Sequence, residues 1–480
     1  MISKLKQLRW IYRDMPVQIK ASIWFTGCSI INKAVQFLTT PIFTRLMTAD
    51  EYGIYTIFLS WQSIILMIVG LNISSNIFYN MLIKDQESSD KIISSIIGLV
   101  TCIGLILIIV FCYFRDLWMQ LIQLPASLIV GLILTCILTV SFELWAVKLR
   151  FIYQYKKLVL VTASVLILNP LMGLYFVLNY ESNKGIARCF SVIVSTTLVY
   201  GIIYIIKIVK GRIFYNKEYW TYALSMAVPL LPHYLSQTLL NQSDRIMISF
   251  LIGNGEAAIY GIAHSVAILM LFVNKSINDS FIAWFYKRLE TKNYKNISQI
   301  SSKLVLLIGS LNIILMLIAP ELLHILATDE YGAAVYVIPP LAVSSYLIFI
   351  YGLFCNIEFY FEMKIPMMVV SVAGAALNIG LNYILIPHFG FIVAGYTTLV
   401  SYIVFVVCHY IIMRKAQIKH MNSINVFNVK FIGIFTIAMI GIAFLVNFAY
   451  TFVGIRYFVL FMILFSITYA LIKYGNIKKA

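Results

Sequence analysis

Two lysines stand inside apolar runs, where a cation is hard to place: Lys33, in the pair Asn32-Lys33 of the first run, and Lys275, in the pair Asn274-Lys275 of the eighth. A charged side chain at the centre of a membrane span costs about 2.5–3.5 kcal/mol on insertion scales, so such residues are usually paired or in use. Lys33 lies about two residues, roughly 3 Å, from the middle of its run, too deep to reach either surface easily. Lys275 lies about five residues, roughly 8 Å, to the inner side of its own middle. Two ammonium groups so placed could line a cationic cavity for an anionic substrate group, each with its asparagine as an added donor. The alternatives are a structural ion pair for Lys33 and snorkelling for Lys275.

The carboxylates available to them are Glu143, Asp244, Asp279, Glu358 and Glu362, all toward run ends. Asp279 follows Lys275 by one helical turn, a spacing that favours an i,i+4 pair. Asp244-Arg245, at the outer end of the seventh run, suits a gate or salt bridge as well as a substrate contact. The same run carries Pro229-Leu-Leu-Pro232-His233 near its middle. Two prolines remove backbone donors and predict a break, tolerable in a membrane only where protein or a water-filled cavity takes the freed carbonyls. His233 beside it could carry a proton near neutrality or simply pack. Asp244, Asp279, His233 and Glu143 are therefore the coupling or gating candidates. Cys28, Cys102, Cys112, Cys136, Cys189, Cys355 and Cys408 fall in or beside apolar runs without a C-x-x-C pair, and read as buried thiols, neither disulfides nor metal ligands.

The elements that must position these groups follow from composition. Of 480 residues, 61% are hydrophobic and only 11% charged, where soluble domains carry about 25% charged residues. A water-soluble protein is excluded. The unbroken apolar runs are about twice the length of a barrel strand, which needs about 10 alternating residues. The fold class is all-α integral membrane, with about fourteen transmembrane helices of about 20 residues. The N-terminal segment is basic without an apolar core or cleavage site, so the first run reads as a retained span.

The net charge of +17 would suggest nucleic acid in a soluble chain, but its distribution is one-sided. With the N-terminus cytoplasmic, 28 of the 36 Lys and Arg fall in cytoplasmic segments, only Arg45, Arg115, Lys184, Arg188, Arg245 and Arg456 fall on the opposite side, and Lys33 and Lys275 lie inside runs. That is the positive-inside pattern, with both termini cytoplasmic and no nucleic-acid partner implied. The chain also repeats weakly. Glu51-Tyr-Gly-Ile-Tyr55 returns as Glu256-Ala-Ala-Ile-Tyr260, an offset of 205, and Leu168-Asn169 returns as Leu377-Asn378, an offset of 209. Similar offsets six spans apart predict two parallel six-helix bundles, residues 1–215 and 216–415, followed by a two-helix extension, 416–480. No G-x-x-x-x-G-K-S/T, H-E-x-x-H or G-x-S-x-G occurs. ATP hydrolysis in this chain and membrane enzymology are disfavoured, and secondary transport is favoured.

Pro41-Ile-Phe-Thr44-Arg45 followed by Glu51–Tyr55 resembles the signature after the first helix of Wzx-type polysaccharide flippases, of the multidrug/oligosaccharidyl-lipid/polysaccharide exporter superfamily. Pro229-Leu-Leu-Pro232, Ser243-Asp244-Arg245 and Ile259-Tyr260 resemble its seventh-to-eighth helix region. Pro320-Glu321 with Tyr331 and Pro339, then Asn378, Leu381-Asn382, Ile386-Pro387, Phe389-Gly390 and Ala394-Gly395, resemble its ninth-to-twelfth. The ordered matches cover residues 20 to 415.

The resemblance implies two six-helix bundles in a V around a cationic cavity with alternating access. It implies a substrate of undecaprenyl pyrophosphate carrying an oligosaccharide repeat, flipped from the cytoplasmic to the periplasmic leaflet of the bacterial inner membrane for O-antigen or capsule. Lys33 and Lys275, with Arg45, Arg245, Asn32 and Asn274, are the expected substrate contacts. No cofactor is expected beyond a coupling H+ or Na+, and the pathway's polymerase and chain-length regulator are the expected protein partners. The alternatives are a multidrug or other small-molecule exporter, and an O-unit polymerase. A polymerase should carry a long external loop with paired arginines or carboxylates, which this chain lacks.

Overall fold

A computed structural model describes residues 15–180 and 182–477; the side chains of Ser22, Ser29, Lys33 and residues 466–477 lie outside the described set. The chain divides into two compact units, Met1–Thr238 and Leu239–Ala480. The division falls inside one long helix, later than the 215/216 boundary read from the repeat, and the C-terminal helix pair groups with the second unit.

The first unit holds helices α1 (Val17–Leu46), α2 (Ala49–Gly70), α3 (Asn76–Lys84), α4 (Ser89–Tyr113), α5 (Arg115–Ile122), α6 (Ala126–Phe151), α7 (Tyr155–Asn179), α8 (Lys184–Gly211) and most of α9 (Lys217–Leu251). The second holds the rest of α9, then α10 (Asn254–Glu290), α11 (Ile297–Leu317), α12 (Ala319–Leu326), a 3-10 segment (Asp329–Val337), α13 (Ile338–Tyr360), α14 (Lys364–Phe389), α15 (Ile392–His420), α16 (Val429–Ala449) and α17 (Val453–Ile477). Among the described residues, eleven helical segments are long and apolar enough to cross a membrane. α1 and α9 are not among them, although both are longer than a span requires, and α17 qualifies only as a shorter apolar stretch. The protein is a multi-pass helical membrane protein.

Local chemistry sets the helix ends that matter here. Thr48 caps α2 in a capping box: its hydroxyl accepts from Glu51 N, and the Glu51 carboxylate accepts from Thr48 N. The other Glu51 oxygen accepts from Lys184 N at 2.9 Å, so one carboxylate ties the starts of α2 and α8 together. Gly185 makes this approach possible, because a Cβ there would sit 2.2 Å from Glu51 O. In the first unit, isoleucine and leucine ridges of α4 and α6 (Ile92, Ile96, Leu128, Leu132 and their neighbours) form the core.

The break expected at Pro229 and Pro232 does not occur: α9 runs through both as one 35-residue helix. Each proline removes one backbone donor, leaving the carbonyls of Ser225 and Val228 without their i+4 partner, while the rest of the ladder holds the helix. The cysteines divide. Cys136, Cys189 and Cys355 are buried, but Cys28, Cys102 and Cys408 are partly exposed and Cys112 is exposed, so the reading as buried thiols holds for three; all seven are free. Cys112 follows the buried Phe111 of α4, and the 100° step to the next residue turns it outward, where an apolar side chain can face lipid.

Candidate functional site

Each unit holds a buried charge that is caged by neutral polar groups, with no ion-pair partner among the described residues, and these two charges have opposite sign. In the first unit it is Arg188, 3% exposed, one turn into α8. Its Nη1 donates to Ser191 Oγ at 2.7 Å, and its Nη2 to Asn169 Oδ1 of α7 at 2.7 Å and to Tyr55 Oη of α2 at 3.3 Å. The guanidinium lies over two rings, 4.4 Å from the Phe43 centroid of α1 and 4.8 Å from that of Tyr55. Four helices thus meet on one cation, with neutral acceptors and ring faces in place of a carboxylate. Gly173 completes the fit: a Cβ there would stand 2.9 Å from Arg188 Nη1 and 2.7 Å from Phe43 Cζ.

In the second unit the charge is Asp244, 3% exposed. Asn382 Nδ2 donates to Oδ1 at 2.6 Å, Thr398 Oγ1 to Oδ2 at 2.7 Å, and the Tyr260 hydroxyl also donates to Oδ2. A second layer holds these donors. Asn378 Nδ2 donates to Thr398 Oγ1 at 3.1 Å, Ser243 Oγ donates to Asn378 Oδ1 at 3.0 Å, and Thr397 donates to Asn382 Oδ1. The donors come from α9, α10, α14 and α15, with Asn378 and Asn382 one turn apart on the same face of α14. Asp244 also lines a cavity with His264, Ser345, Thr398 and Tyr402 that leaves about 30 Å³ for the centres of water molecules, above the 10–15 Å³ that one water needs.

The repeat read in the sequence contributes two side chains to each cage. Tyr55 and Asn169, the first-unit members of the two matched pairs, hold Arg188; Tyr260 and Asn378, their counterparts, belong to the Asp244 network. Phenol and carboxamide both donate and accept, so the same pair of side chains can line a cation in one unit and an anion in the other.

The expected site residues are placed as follows. Lys33 lies on α1 with its side chain outside the described residues, and Asn32 beside it is partly exposed. Lys275 is exposed on α10, its Nζ 3.5 Å from Asp279 Oδ2 in the i,i+4 pair. Asn274 faces inward: 4% exposed, it donates to Ser345 O at 2.7 Å and ties α10 to α13, so it is a packing tie and not a surface donor. Arg45 is exposed and donates back to Pro41 O at 2.9 Å, whereas Arg245 is half-buried and donates to Asn241 O and Gln242 Oε1. Glu143 accepts from Ser74 Oγ at 2.6 Å, and the His233 ring packs edge-on against Tyr234. Asp244 is not at a helix end: α9 continues to Leu251, so the carboxylate lies about two turns inside the helix and is buried. In the sequence Arg188 stands out only as one of the six cations assigned to the outer side. Its signal is an arginine embedded in Gly-Ile-Ala-Arg-Cys-Phe, where snorkelling outward would need to cross a full turn of apolar neighbours.

The family described as "Polysaccharide biosynthesis protein" matches residues 19–274, more than half of the chain and including Arg188, Asp244, Tyr55 and Tyr260. The chain belongs to this family. Membership meets the expectation drawn from the Pro41–Tyr55 and Pro229–Tyr260 motifs. A protein of the Lsg locus of Haemophilus influenzae is 22% identical over 353 residues, covering 71% of this chain and 84% of that protein. Among solved structures, the lipid II flippase MurJ in an inward closed conformation matches with a TM-score of 0.68 at 14% identity, covering 95% of this chain and 99% of that one. An inward-facing multidrug resistance MATE transporter of the MOP superfamily matches with a TM-score of 0.64 at 13% identity, covering 82% and 96%. The fold of this polysaccharide biosynthesis family member is therefore that of the MurJ and MATE transporters.

Proposed function

We propose that the chain is a flippase that carries undecaprenyl-pyrophosphate-linked oligosaccharide repeat units from the cytoplasmic to the periplasmic leaflet of a bacterial inner membrane, for O-antigen or capsule, with both termini cytoplasmic. The observation that carries this reading is the joint match: a polysaccharide biosynthesis family over residues 19–274 and a lipid II flippase fold over 95% of the chain. The charge pattern supports it, since 28 of 36 Lys and Arg fall on the side assigned to the cytoplasm.

In this reading Lys33, Lys275, Arg45 and Arg245 receive the diphosphate. The Lys275–Asp279 pair is exposed on both sides, and an exposed pair contributes only about 0–1 kcal/mol, so a diphosphate can displace the carboxylate at little cost. Asp244 carries the coupling ion, H+ or Na+. A buried carboxylate ringed by hydroxyl and amide groups beside a water-sized cavity offers oxygen ligands to a small cation and a neutral state on protonation. Either event removes a buried charge, which changes the energy of the cage enough to bias a conformational equilibrium.

The test is deletion of the gene followed by assay of surface polysaccharide and of the leaflet that holds the lipid-linked intermediates. A single repeat unit trapped in the cytoplasmic leaflet supports the flippase. Repeat units reaching the periplasm unpolymerised would make the chain a polymerase, and normal glycan with new drug sensitivity would make it an exporter.

A further inference from the structure

A second buried cluster in the second unit has no part in this reading. Cys355 and Glu358 stand one turn apart on α13, and His409 faces them from α15. All three are buried, at 6%, 0% and 1% exposure. Cys355 Sγ lies 3.3 Å from His409 Nδ1, that nitrogen lies 2.9 Å from Glu358 Oε2, and Sγ lies 4.0 Å from Oε2.

We infer that Cys355, Glu358 and His409 form a binding site for Zn2+ that clamps α13 to α15. The three atoms make a triangle of the right size. Zn–S of about 2.3 Å with Zn–N and Zn–O of about 2.0 Å in a tetrahedron puts ligand atoms about 3.3–3.6 Å apart, and the observed edges bracket that range with shifts of a few tenths of an ångström required. The imidazole is already aimed. Tyr351 stacks on it with centroids 5.5 Å apart and Phe405 packs at 4.6 Å, which holds Nδ1 toward the thiol and carboxylate. Thiolate with imidazole selects a borderline-soft ion over Na+, Mg2+ or Ca2+, which favour all-oxygen sites.

Charge balance also favours the ion. Without metal, the buried trio is neutral when the thiol keeps its proton and Glu358 and His409 share one. Zn2+ displaces both protons, giving thiolate, carboxylate and neutral imidazole around a doubly charged ion, again neutral, with two protons released to solvent. The site therefore exchanges protons for metal without burying a net charge, the condition that makes metal in a low-dielectric interior affordable. The cysteine spacing gave no hint of it because the histidine comes from another helix, 54 residues along the chain.

The experiment uses the full-length protein in detergent, stripped with chelator and titrated with Zn2+ alone, and in parallel with Co2+ to read the thiolate-to-cobalt charge-transfer band. The expected result is one Zn2+ per chain, a Co2+ band, and a rise in Tm with Zn2+ that chelator reverses. Cys355→Ala should remove the band, and His409→Gln should weaken Zn2+ binding at least about tenfold, since even outer-shell changes cost 10–100-fold. Cys136→Ala, at a buried cysteine of the first unit, should leave band and affinity unchanged. A wild-type protein without band or Tm rise, or a band that survives Cys355→Ala, overturns the site. The wild-type Tm and band readings stand even where a variant fails to fold.

Discussion

Asn169 accepts a hydrogen bond from Arg188 at 2.7 Å, and no carboxylate bonds to that guanidinium among the described residues. A buried cation held by a carboxamide, a phenol and two ring faces depends on every partner, because each is sized and oriented for a planar fork.

Replacing Arg188 with Ala should therefore destabilise the first unit by about 2–4 kcal/mol, through a cavity and the orphaned Asn169 oxygen. Arg188→Lys should restore less than half of this, since an ammonium cannot meet Ser191, Asn169 and Tyr55 together. Gly173→Ala, which introduces a Cβ 2.9 Å from Nη1, should move in the same direction by about 1–3 kcal/mol. Thermal unfolding in detergent, read for all three variants, checks the order Ala, then Gly173→Ala or Lys, then wild type.

Asp244→Asn keeps the shape of the cage and removes its charge. Chain folding should survive, with a Tm at or above that of the wild type, because a buried anion is replaced by a neutral amide. Transport should fall by at least about tenfold if the carboxylate carries the coupling ion, a loss of about 1.4 kcal/mol or more in the driving interaction. Complementation of a deletion strain, combined with the Tm, separates the two effects; full activity of the asparagine variant would remove Asp244 from coupling.

Lys33→Ala and Lys275→Ala should each abolish surface polysaccharide while membrane insertion is retained, and Lys→Arg should retain part of the function because the charge is kept. Asp279→Asn, which releases Lys275 from its pair, should leave function in place. Export of the glycan in cells carrying each variant at equal membrane abundance is the measurement. Full activity of both alanine variants would exclude these lysines as diphosphate ligands.

Acid should loosen the C-terminal helix pair. Glu321 of α12 accepts from Arg456 Nη1 at 2.9 Å and from the Tyr457 hydroxyl at 2.6 Å, and its other contacts include Arg456 Nη2. Burial works to raise the Glu321 pKa, but the Tyr457 hydroxyl, the helix backbone and the Arg456 guanidinium outweigh it and hold the carboxyl below its ordinary value. A depressed folded-state value means this stabilisation is present above the unfolded value, about 4.3, and is lost as pH falls through the folded one. Glu321→Ala should cost about 1–3 kcal/mol at neutral pH by leaving the buried Arg456 without its carboxylate, and should flatten the acid limb of a Tm-against-pH curve relative to wild type.

The helices themselves were legible in the sequence, because crossing a bilayer requires unbroken apolar length and that requirement is local. The same locality explains the misreadings. Pro229 and Pro232 look like a break in one dimension, yet the remaining ladder keeps α9 whole. Asn274 looks like an intramembrane donor beside Lys275, yet a 100° step around the helix turns it inward to Ser345 while Lys275 faces out.

By itself the sequence determined the membrane class, the helical content, the one-sided distribution of charge and the pairing of Tyr55 with Tyr260 and Asn169 with Asn378. Each of these depends on composition or on order along the chain. Only the tertiary structure decided that those matched residues enclose an arginine in one unit and an aspartate in the other, and that Cys355, Glu358 and His409 converge. Hydropathy reports how much of a segment is apolar, whereas a cage is built by side chains from helices that are distant in sequence, and whether a charge is buried depends on what the other helices place around it.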